Sequence, residues 1–418
     1  MGRPFKELTA FDCARGICIR TGRELRIGRE KLKGLESLAF RVLSEDVTSK
    51  IDVPFFPRAS QDGFAVIAND TFGSSANDPV ILKLRPDGSS VSPGTCVRIH
   101  TGRPIPPGAD GIAVREKAEV SADGTFVEIK APTIPGLYIS PRGEDIKVGA
   151  RVLERGTILT PSRIGVLAAI GRTSAYVYKK PLVGIIATGN EIITPGARME
   201  KKEFKTYDVN SYTLRTAVES LGCNARNYGI ARDNEKSILS ALKKALRECD
   251  AVITNAGSSV GDVDYTVSAI NRAGCRLLFH GVAIRPGKPT ALAVSKNKKM
   301  VMCLPGFPAS ALAAFNMLAV PAINALRGVD SGVEKKEKPA FTYSGKLTHS
   351  IPSTLGTVEL VRVSIDAEHG LVTPIAIHGS GMITSISRAD GWIIIPPNVE
   401  GLKAGDLVSV EGIPTEEC

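Results

Sequence analysis

A glycine- and serine-rich loop followed by carboxylates is the feature of this chain with the clearest chemical meaning. Residues 250–264 read DAVITNAGSSVGDVD, an apolar run, then the loop 257–261, with Asp262 and Asp264 behind it. The apolar run predicts a buried parallel strand, and the N–H groups of such a loop can hold an anion. Carboxylates beside an anion require a cation or a proton between them. The segment therefore indicates a phosphate-bearing ligand and a divalent metal, although carboxylates that cap the next helix would give the same pattern.

Two more loops follow apolar runs that predict strands. Thr188, Gly189, Asn190 and Glu191 follow LVGIIA, and residues 304–310 (LPGFPAS) lead into an apolar helix. Because ligands of open parallel sheets bind beyond the carboxyl ends of the strands, three such loops predict one binding crevice. The residues that we expect to bind the substrate there are Thr188, Gly189, Asn190, Gly257, Ser259, Gly261, Pro305, Gly306 and Pro308.

A pair of cations is held in a short turn. Arg285 and Lys288 lie three residues apart in RPGKP, which Pro and Gly make rigid. Such a pair suits a phosphate or another tetrahedral oxyanion, and a solvated turn is the alternative. Asp233 is a further carboxylate at the end of a predicted strand, where it could also cap the next helix.

Three more turns carry polar residues that could act on a ligand. Thr101 lies in RIHTGRPIPPGAD, Asp62 precedes a glycine, and Asp145 ends RGED. Functional residues concentrate in such loops. The chain has no G-x-x-x-x-G-K-[ST] loop, no GxGxxG after a strand and no G-x-S-x-G elbow with an evident histidine partner, which argues against the standard nucleotide-binding and serine-hydrolase classes.

Composition narrows the class of protein. The chain has 418 residues, of which 43% are hydrophobic and 23% charged, as in soluble multidomain proteins. We see no apolar run near the roughly 18–20 residues of a membrane span and no secretory signal at the N-terminus, so we expect a cytoplasmic protein without a membrane partner. The 8 cysteines and 5 histidines are scattered, which disfavours a soft-metal site and leaves hard cations on oxygen ligands.

The net charge of +10 would suit nucleic acid, a membrane surface or small anionic ligands. The basic residues are dispersed and aromatic residues make up only 5% of the chain, so stacking platforms for nucleic acid are few. Small anionic substrates fit best, and we expect no nucleic-acid partner.

Periodicity divides the chain into four parts. Within the first 50 residues, 7–50 are predicted to be helical, since segments such as LESLAFRVLSEDV have apolar residues on one helix face. Residues 51–140 show the short alternating runs of a β-rich unit. Residues 141–180 predict a hairpin and a helix that starts at Thr160 or Ser162, with Pro161 near its first position. Residues 181–328 alternate strands and helices, one of them with Asn234 as its N-cap, which predicts an α/β domain with a mostly parallel sheet. After a polar stretch, the remainder of 329–418 predicts a second β domain.

Ten motifs, in order, resemble those of the molybdopterin molybdenumtransferases of molybdenum-cofactor biosynthesis, which are related to the C-terminal domain of gephyrin. The matching segments are RVLSEDV, IDVPFFPRASQDGFAV, RIHTGRPIPPGAD, RGEDI, TGNEI, YDVN, AGSSVGDVDYT, RPGKP, LPGFPASA and GSGMITSISRADGWIIIP. The resemblance covers the chain from about residue 8 to residue 410.

The resemblance implies a homodimer with four domains in each chain: a discontinuous N-terminal domain (1–50 and 141–180), a β-rich domain (51–140), the α/β molybdopterin-binding domain (181–328) and a C-terminal β-barrel-like domain (329–418). It implies a transferase that inserts molybdate into adenylylated molybdopterin with Mg²⁺-dependent release of AMP. The partners would be this substrate, molybdate or tungstate, the adenylyltransferase that supplies it, and recipient molybdoenzymes.

The resemblance also assigns site residues. The catalytic carboxylates would be Asp62, Asp145, Glu191, Asp233 and Asp262, of which Glu191 and Asp262 would hold the metal. Thr101 would join the substrate-binding set. The molybdate pocket would use Arg285, Lys288, Ser310, Arg362 and Ser385.

Several positions depart from the usual family pattern. Phe307 replaces an asparagine, Arg285 replaces a lysine, and Ala256 and Ser258 alter the glycine-rich loop. These changes leave two alternatives open beside the active enzyme: a non-catalytic molybdopterin-binding or scaffold paralogue, and a variant that prefers tungstate. A basic nucleic-acid-binding protein is a third alternative, which the dispersed charge disfavours.

Overall fold

A computed structural model describes residues 7–198, 204–255, 260–329, 342–375 and 382–412, and for residues 260–264 it describes the backbone alone. The architecture is α/β and β multidomain, as the sequence predicts. Three six-stranded sheets dominate the described parts of the chain. The domain boundaries at 50, 140, 180 and 328 stay predictions.

The central sheet is mixed: four neighbouring strands pair in parallel, and the last two strands at one edge are joined by antiparallel pairing. Its strands, in spatial order, are Asn224–Ala231, Leu182–Thr188, Ala251–Asn255, Met300–Leu304, Ala291–Ser295 and Cys275–His280. Helices Asn210–Ser220, Glu235–Glu248, Val260–Arg272 and Pro308–Ala314 connect or follow them. The predicted apolar runs form the buried strands Leu182–Thr188, Ala251–Asn255 and Met300–Leu304, because both faces of the sheet are covered by helices.

The helix Glu235–Glu248 begins where the sequence predicts. Asn234 is its N-cap, and the Asn234 side chain accepts a hydrogen bond from the N–H of Ser237. Ile238, Leu242 and Ala245 form its buried face. Asp233 is therefore not the cap of this helix, and its carboxylate bonds elsewhere.

The N-terminal part corrects the sequence analysis. Residues 7–50 contain one long helix, Phe11–Glu24, but the predicted second helix is limited to Leu35–Leu38. Residues 39–46 form turns, bends and isolated β-bridges instead, with Leu38 and Leu43 buried against residues 146–177. The apolar residues at helical spacing are buried here although the backbone is not helical. Tertiary contacts therefore outweigh the local helical preference of this segment.

Two pairs of strands join the segment before residue 50 to the segment at 151–178. They are Arg29–Lys33 with Ser174–Tyr178, and Val47–Thr48 with Arg151–Leu153, both antiparallel. The helix Pro161–Ala169 follows with Thr160 at its N-cap position and Pro161 in its first turn, as predicted.

The β-rich region holds the second sheet. In spatial order its strands are Gly111–Val114, Gly63–Val66, Thr95–Ile99, Val80–Arg85, Phe126–Ile129 and Ala118–Val120. Two short 3₁₀ turns, Ala68–Thr71 and Arg115–Lys117, belong to the same region. Arg58–Ala59 pairs with Ile139–Ser140 beside this sheet.

The C-terminal sheet closes on itself, as the predicted barrel-like domain requires. Its strands are Val358–Asp366, Leu371–Pro374, Thr342–Leu347, Leu407–Gly412 and Gly391–Ile395, and the last pairs with the first. Ile284–Arg285, from the central region, adds a parallel strand to its edge. The smaller elements here and in the central region are the strand pairs Ile351–Pro352 with Gly401–Leu402 and Ile192–Ile193 with Thr206–Tyr207, and the helix Thr384–Ser387.

A helical run through the core links these units. Pro308–Ala314, the π-helical segment Phe315–Ala319 and Val320–Leu326 are nearly all buried. The π segment precedes Pro321, which lacks an N–H donor and would disturb a regular α-helix there. The run packs in one cluster with Ala14 and Cys18 of the first helix and with Trp392 of the C-terminal barrel.

This run also corrects the prediction that no apolar segment of the chain is long enough to span a membrane. Within the described residues, Pro308–Leu326 is 19 residues long and apolar enough to cross a membrane, which the sequence analysis did not recognise. In the structure 89% of the most apolar stretch of this run is buried inside the protein, as expected for a core helix.

Gly22 allows the first helix to approach the core run. A Cβ on Gly22 would lie 2.2 Å from the Ala322 carbonyl oxygen and 2.8 Å from the Ala325 Cβ. We expect Gly22→Ala to lower the free energy of unfolding by about 1–3 kcal/mol, because the two backbones must separate. Chemical denaturation of the purified protein measures this change.

Gly16→Ala is the matched control on the same helix. Gly16 is exposed, and an added Cβ there would meet nothing within 4 Å. Alanine should stabilise the helix at this position by about 0.5–1 kcal/mol. Equal effects of the two substitutions would contradict the close packing at Gly22.

Candidate functional site

A pocket of about 410 Å³ lies at the carboxyl ends of the central strands, where the sequence predicts a crevice. It contains Thr188 and Glu191 from the first predicted loop and Gly306 and Pro308 from the third. The other residues that line it are Ala187, Ile192, Thr206, Tyr207, Asp208, Val209, Asn210, Asn255, Phe307 and Ile383. The lining is therefore apolar and aromatic with a few carboxylates, amides and hydroxyls, as in many small-molecule sites.

Two buried asparagines fix the loop 305–307 against the sheet. The Asn255 side-chain amide donates to the Pro305 carbonyl, and the Asn210 amide donates to the Gly306 carbonyl at 2.6 Å. Asn210 also donates to the Asn255 side-chain oxygen at 2.7 Å. Because buried amides left without partners are costly, this network holds the loop, and with it Phe307, in one position.

The loop 188–191 is tied to the neighbouring strand end. The Asn190 N–H donates to the Asp233 carboxylate at 2.9 Å, and the Asp233 N–H donates to the Asn190 side-chain oxygen at 3.2 Å. Gly189 has φ +148, and a Cβ there would lie 2.7 Å from Ile192 and 2.9 Å from the Glu191 carboxylate. Glycine is thus required for the loop to bring Glu191 into the pocket.

Glu191 and Asp208 are the described carboxylates of this pocket. Asp208 is 5% exposed and accepts a hydrogen bond from the Ser211 N–H in the first turn of the helix Asn210–Ser220. No group of three or more histidine, cysteine or acidic side chains that could hold a metal occurs among the described residues. Mg²⁺ is often bound by one or two carboxylates together with substrate phosphates, and Glu191 with Asp208 fits that donor chemistry.

The glycine-rich loop with which the sequence analysis opened falls largely outside the described residues. Gly257 and Ser259 belong to that part of the chain. Gly261 and Asp262 lie in the helix Val260–Arg272, for which the backbone is described there. The structure thus leaves their predicted roles as predictions.

The cation turn adjoins the C-terminal barrel. Arg285 lies at the edge strand of the barrel, with its side chain 55% exposed and its Nε 3.7 Å from Glu359. Lys288 is exposed at the end of the same turn, and Ser310 is buried in the first turn of Pro308–Ala314. Neither cation is among the residues that line the pocket.

The two predicted residues of the C-terminal domain are buried rather than open to ligand. Arg362 is 7% exposed, and burial lowers the pKa of its guanidinium. Ser385 is 2% exposed, and its hydroxyl donates to the Met382 carbonyl. Ile383, two residues earlier, is the contribution of this domain to the pocket lining.

Asp62 and Thr101 form a second group in the β-rich region. Asp62 Oδ1 accepts hydrogen bonds from the Thr101 N–H at 2.7 Å and from its hydroxyl at 2.9 Å. These bonds, the backbone one first, hold the pKa of Asp62 below its usual value, and His100, 3.9 Å away, adds to the effect. The side chain stays exposed and is available to a ligand.

Asp145 is exposed, and a different carboxylate organises its loop. Asp52 accepts a 2.6 Å bond from Arg142 Nε and a 2.8 Å bond from the Val148 N–H, which lower its pKa. The Asp145 N–H donates to the Val53 carbonyl at 3.0 Å. The structure therefore places Asp145 beside a rigid turn of the chain that Asp52 holds.

The predicted residues that the structure describes thus form separate groups within one chain, one of them the residues at the C-terminal barrel. Thr188, Glu191, Gly306 and Pro308 line the central pocket, and Asp233 is bonded to the adjoining loop through Asn190. Asp62, Thr101 and Asp145 belong to the β-rich region and its flank. Asp62 and Thr101 do not line the central pocket.

The sequence analysis missed four residues that shape these sites. They are Asp52, Asp208, Asn210 and Asn255. Asp208 and Asn210 stand in the YDVN segment and Asn255 ends a predicted buried strand. A polar side chain at the last position of a buried strand was the signal available, since such a group must find a partner.

A mixed α/β sheet with a pocket beyond its strand ends, a β-rich region and a barrel define a multidomain ligand-binding α/β protein. Comparison with protein families refines this class. Residues 17–171 match the MoeA N-terminal region (domain I and II), residues 184–325 match a probable molybdopterin binding domain, and residues 344–413 match the MoeA C-terminal region (domain IV).

Individual relatives agree with the family match. The chain is 37% identical over 376 residues to a putative molybdopterin biosynthesis protein of Methanocaldococcus jannaschii, covering 88% of this chain and 89% of that one. It is 31% identical over 390 residues to the molybdopterin molybdenumtransferase of Haemophilus influenzae, covering 90% and 92%. A molybdopterin biosynthesis MoeA structure from Pyrococcus horikoshii has a TM-score of 0.78 at 29% identity, covering 97% and 99%. The chain belongs to the MoeA family, which confirms the resemblance in the sequence.

The Thr101 hydroxyl should control the titration of Asp62. We expect Thr101→Val to raise the pKa of Asp62 towards its usual value, because one of two hydrogen bonds to the carboxylate is lost. Since the folded-state pKa is lowered, this carboxylate stabilises the fold above its unfolded pKa and loses that effect as pH falls through the folded pKa. Carboxyl-selective NMR titration measures the shift. Thr101→Ser keeps the hydroxyl and should leave the pKa unchanged, and an unaltered titration in Thr101→Val would contradict the assignment.

Proposed function

We propose that this protein is a molybdopterin molybdenumtransferase, which inserts molybdate into adenylylated molybdopterin and releases AMP. The observation that carries the proposal is the central pocket, in which Glu191, Asp208, Thr188 and the loop 305–307 surround about 410 Å³ in a domain matched to molybdopterin binding. The relatives of 29–31% identity from Haemophilus influenzae, Bacillus subtilis and Staphylococcus aureus are named molybdopterin molybdenumtransferases.

The chemistry of the substrate fits the site. Adenylylated molybdopterin is polyanionic, so the phosphates need donors and cations, while the planar heterocycle needs an apolar wall. Ile192, Phe307 and Ile383 supply apolar surface, and the loop 188–191 presents backbone and hydroxyl groups. Arg285 and Lys288 supply the fixed positive charge that suits molybdate.

Mg²⁺ is part of the proposal. Glu191, with Asp262 as its predicted companion, would hold it, and Asp208 lines the same pocket. When bound, the ion would neutralise charge at the phosphate bond that breaks. The residues of the chain orient the substrate: the Asn190–Asp233 exchange fixes the loop of Glu191, and Asn210 fixes the opposite loop.

A homodimer completes the proposal. The single chain leaves Asp62, Thr101 and Asp145 in a group apart from the central pocket, and a second subunit could present that group to the pocket of the first. The protein would act in the cytoplasm, receive its substrate from the adenylyltransferase and pass its product to recipient molybdoenzymes.

Glu191→Gln tests the catalytic assignment. Purified protein would be incubated with adenylylated molybdopterin, molybdate and Mg²⁺, and AMP release and molybdenum in the pterin would be measured. We expect molybdate-dependent AMP release by the wild type and a loss of about 10- to 100-fold in Glu191→Gln, because a metal-binding carboxylate is removed. Glu219→Gln, in an exposed i,i+4 pair with Arg215 on a helix of the same domain, is the matched control and should keep full rate.

The same assay separates the alternatives. Substrate binding without AMP release by the wild type would support the scaffold paralogue and contradict the enzyme. Faster turnover with tungstate than with molybdate would identify the tungstate-preferring variant. Full activity of Glu191→Gln would remove this residue from the site and leave the reaction standing.

Phe307 should contribute to the affinity for the pterin. It is 47% exposed and lines the pocket, and an aromatic face beside a planar heterocycle contributes about 1–3 kcal/mol in comparable stacked sites. We expect Phe307→Asn to raise the Kd for molybdopterin about tenfold, measured by pterin fluorescence. Phe307→Tyr retains the ring and should bind as the wild type does. Tighter binding by Phe307→Asn would show that an amide is preferred there.

A further inference from the structure

Glu359 is a buried carboxylate that the proposed reaction does not use. Its side chain is 9% exposed and its Oε1 lies 3.7 Å from Arg285 Nε. Its Oε2 is buried and has no hydrogen-bond partner in the described part of the chain. An ionised carboxylate in such a place is costly unless a cation and donors accompany it, and the cation here is Arg285.

The contact is fixed by the backbone. Ile284–Arg285 pairs in parallel with Val358–Asp366, and Arg285 is the register partner of Glu359. The Val358 N–H donates to the Ala283 carbonyl at 3.0 Å, and Ile284 and Val358 are both buried in the main core. Glu359 therefore faces the arginine by sheet register, not through a mobile surface side chain.

The geometry leaves Arg285 able to serve two partners. A separation of 3.7 Å is an ion pair without a hydrogen bond, and 55% of the Arg285 side chain remains exposed. A guanidinium is a planar fork with five donors, so its Nε edge can face one anion while its terminal nitrogens face another. A lysine ammonium has no such planar arrangement of donors that would direct separate N–H groups to two anions.

We infer that Glu359 is a positioning residue, which orients the Arg285 guanidinium so that its terminal nitrogens bind the oxyanion. The inference rests on the proposed function. The unpartnered Oε2 is the second observation: this carboxylate has room for one more donor, which Arg285 can supply by closing on Glu359 when the oxyanion binds. Glu359 itself repels an oxyanion and acts only through the arginine.

Glu359→Gln tests the inference in the purified full-length protein. The substitution preserves the shape of the side chain and removes its negative charge. Arg285 therefore loses its ionic partner, while its backbone position in the sheet is unchanged. We expect the KM for molybdate to rise about fivefold with kcat unchanged. Glu411→Gln is the matched control. Glu411 is a half-buried glutamate of the same barrel, paired in register with Trp392 and not with Arg285, and the KM of this variant should stay as in the wild type.

A double-mutant cycle distinguishes positioning from a general structural effect. In an Arg285→Met background, Glu359→Gln should add no further rise in KM, because its only route of action is gone. A further rise of the same size would overturn the inference, and so would an unchanged KM in Glu359→Gln alone. If Glu359→Gln fails to fold by thermal melting, Arg285→Lys provides the test: it keeps the charge but loses the fork, and a wild-type KM would overturn the inference.

Equilibrium dialysis of molybdate separates this inference from the proposed function. Weaker molybdate binding by Glu359→Gln than by the wild type and Glu411→Gln would support the positioning role even if the wild type released no AMP. Active wild-type protein with equal molybdate binding in all three would overturn the role of Glu359 while the proposed function stands.

Discussion

The buried helical run Pro308–Leu326 is the constraint on which the rest of the structure depends. Its side chains fill one core together with the first helix, the central sheet and the barrel residues Val358, Leu360 and Trp392. Burial of that much apolar surface is the main stabilising term in folding. Because three parts of the chain share a single core, the barrel and the first helix cannot move away from the sheet without exposing it.

That constraint sets the geometry of the pocket. The run begins at Pro308, directly after the loop 305–307, so its position determines where the loop leaves the sheet. Asn210 and Asn255 then hold the loop through its carbonyls. Apolar packing sets the approximate position of the loop, and the buried hydrogen bonds fix it more closely. A buried amide without a hydrogen-bond partner would cost about 1–3 kcal/mol. The pocket is rigid on this side and is bounded on the other by the glycine-dependent loop of Glu191.

How far the sequence predicted these features depends on whether local pattern or tertiary contact decides them. The buried strands Leu182–Thr188 and Met300–Leu304 and the cap at Asn234 follow local rules, and they were predicted correctly. The helix expected across 35–47 failed because its apolar residues pack against residues 146–177, far away in the chain. In the candidate site, Glu191 and the loop 305–308 could be predicted because they follow the ends of recognisable strands. Asn210 and Asp52 could not, because their hydrogen-bond partners lie about 90 residues away in the chain and no local pattern reveals such contacts.

The same reasoning explains how charge is distributed around the site. Arg285 lies where the central region adds a strand to the barrel, and Glu359 and Arg362 stand on the neighbouring barrel strand. A basic protein of net charge +10 does not need ion pairs there for solubility. Glu359 and Arg362 are each 7% exposed as whole residues, and a buried charge is costly unless it is paired and hydrogen-bonded. Under our inference, Glu359 is buried here because it orients Arg285. Under our proposal the oxyanion would bind at this domain junction, because there the backbone register fixes an arginine that solvent still reaches.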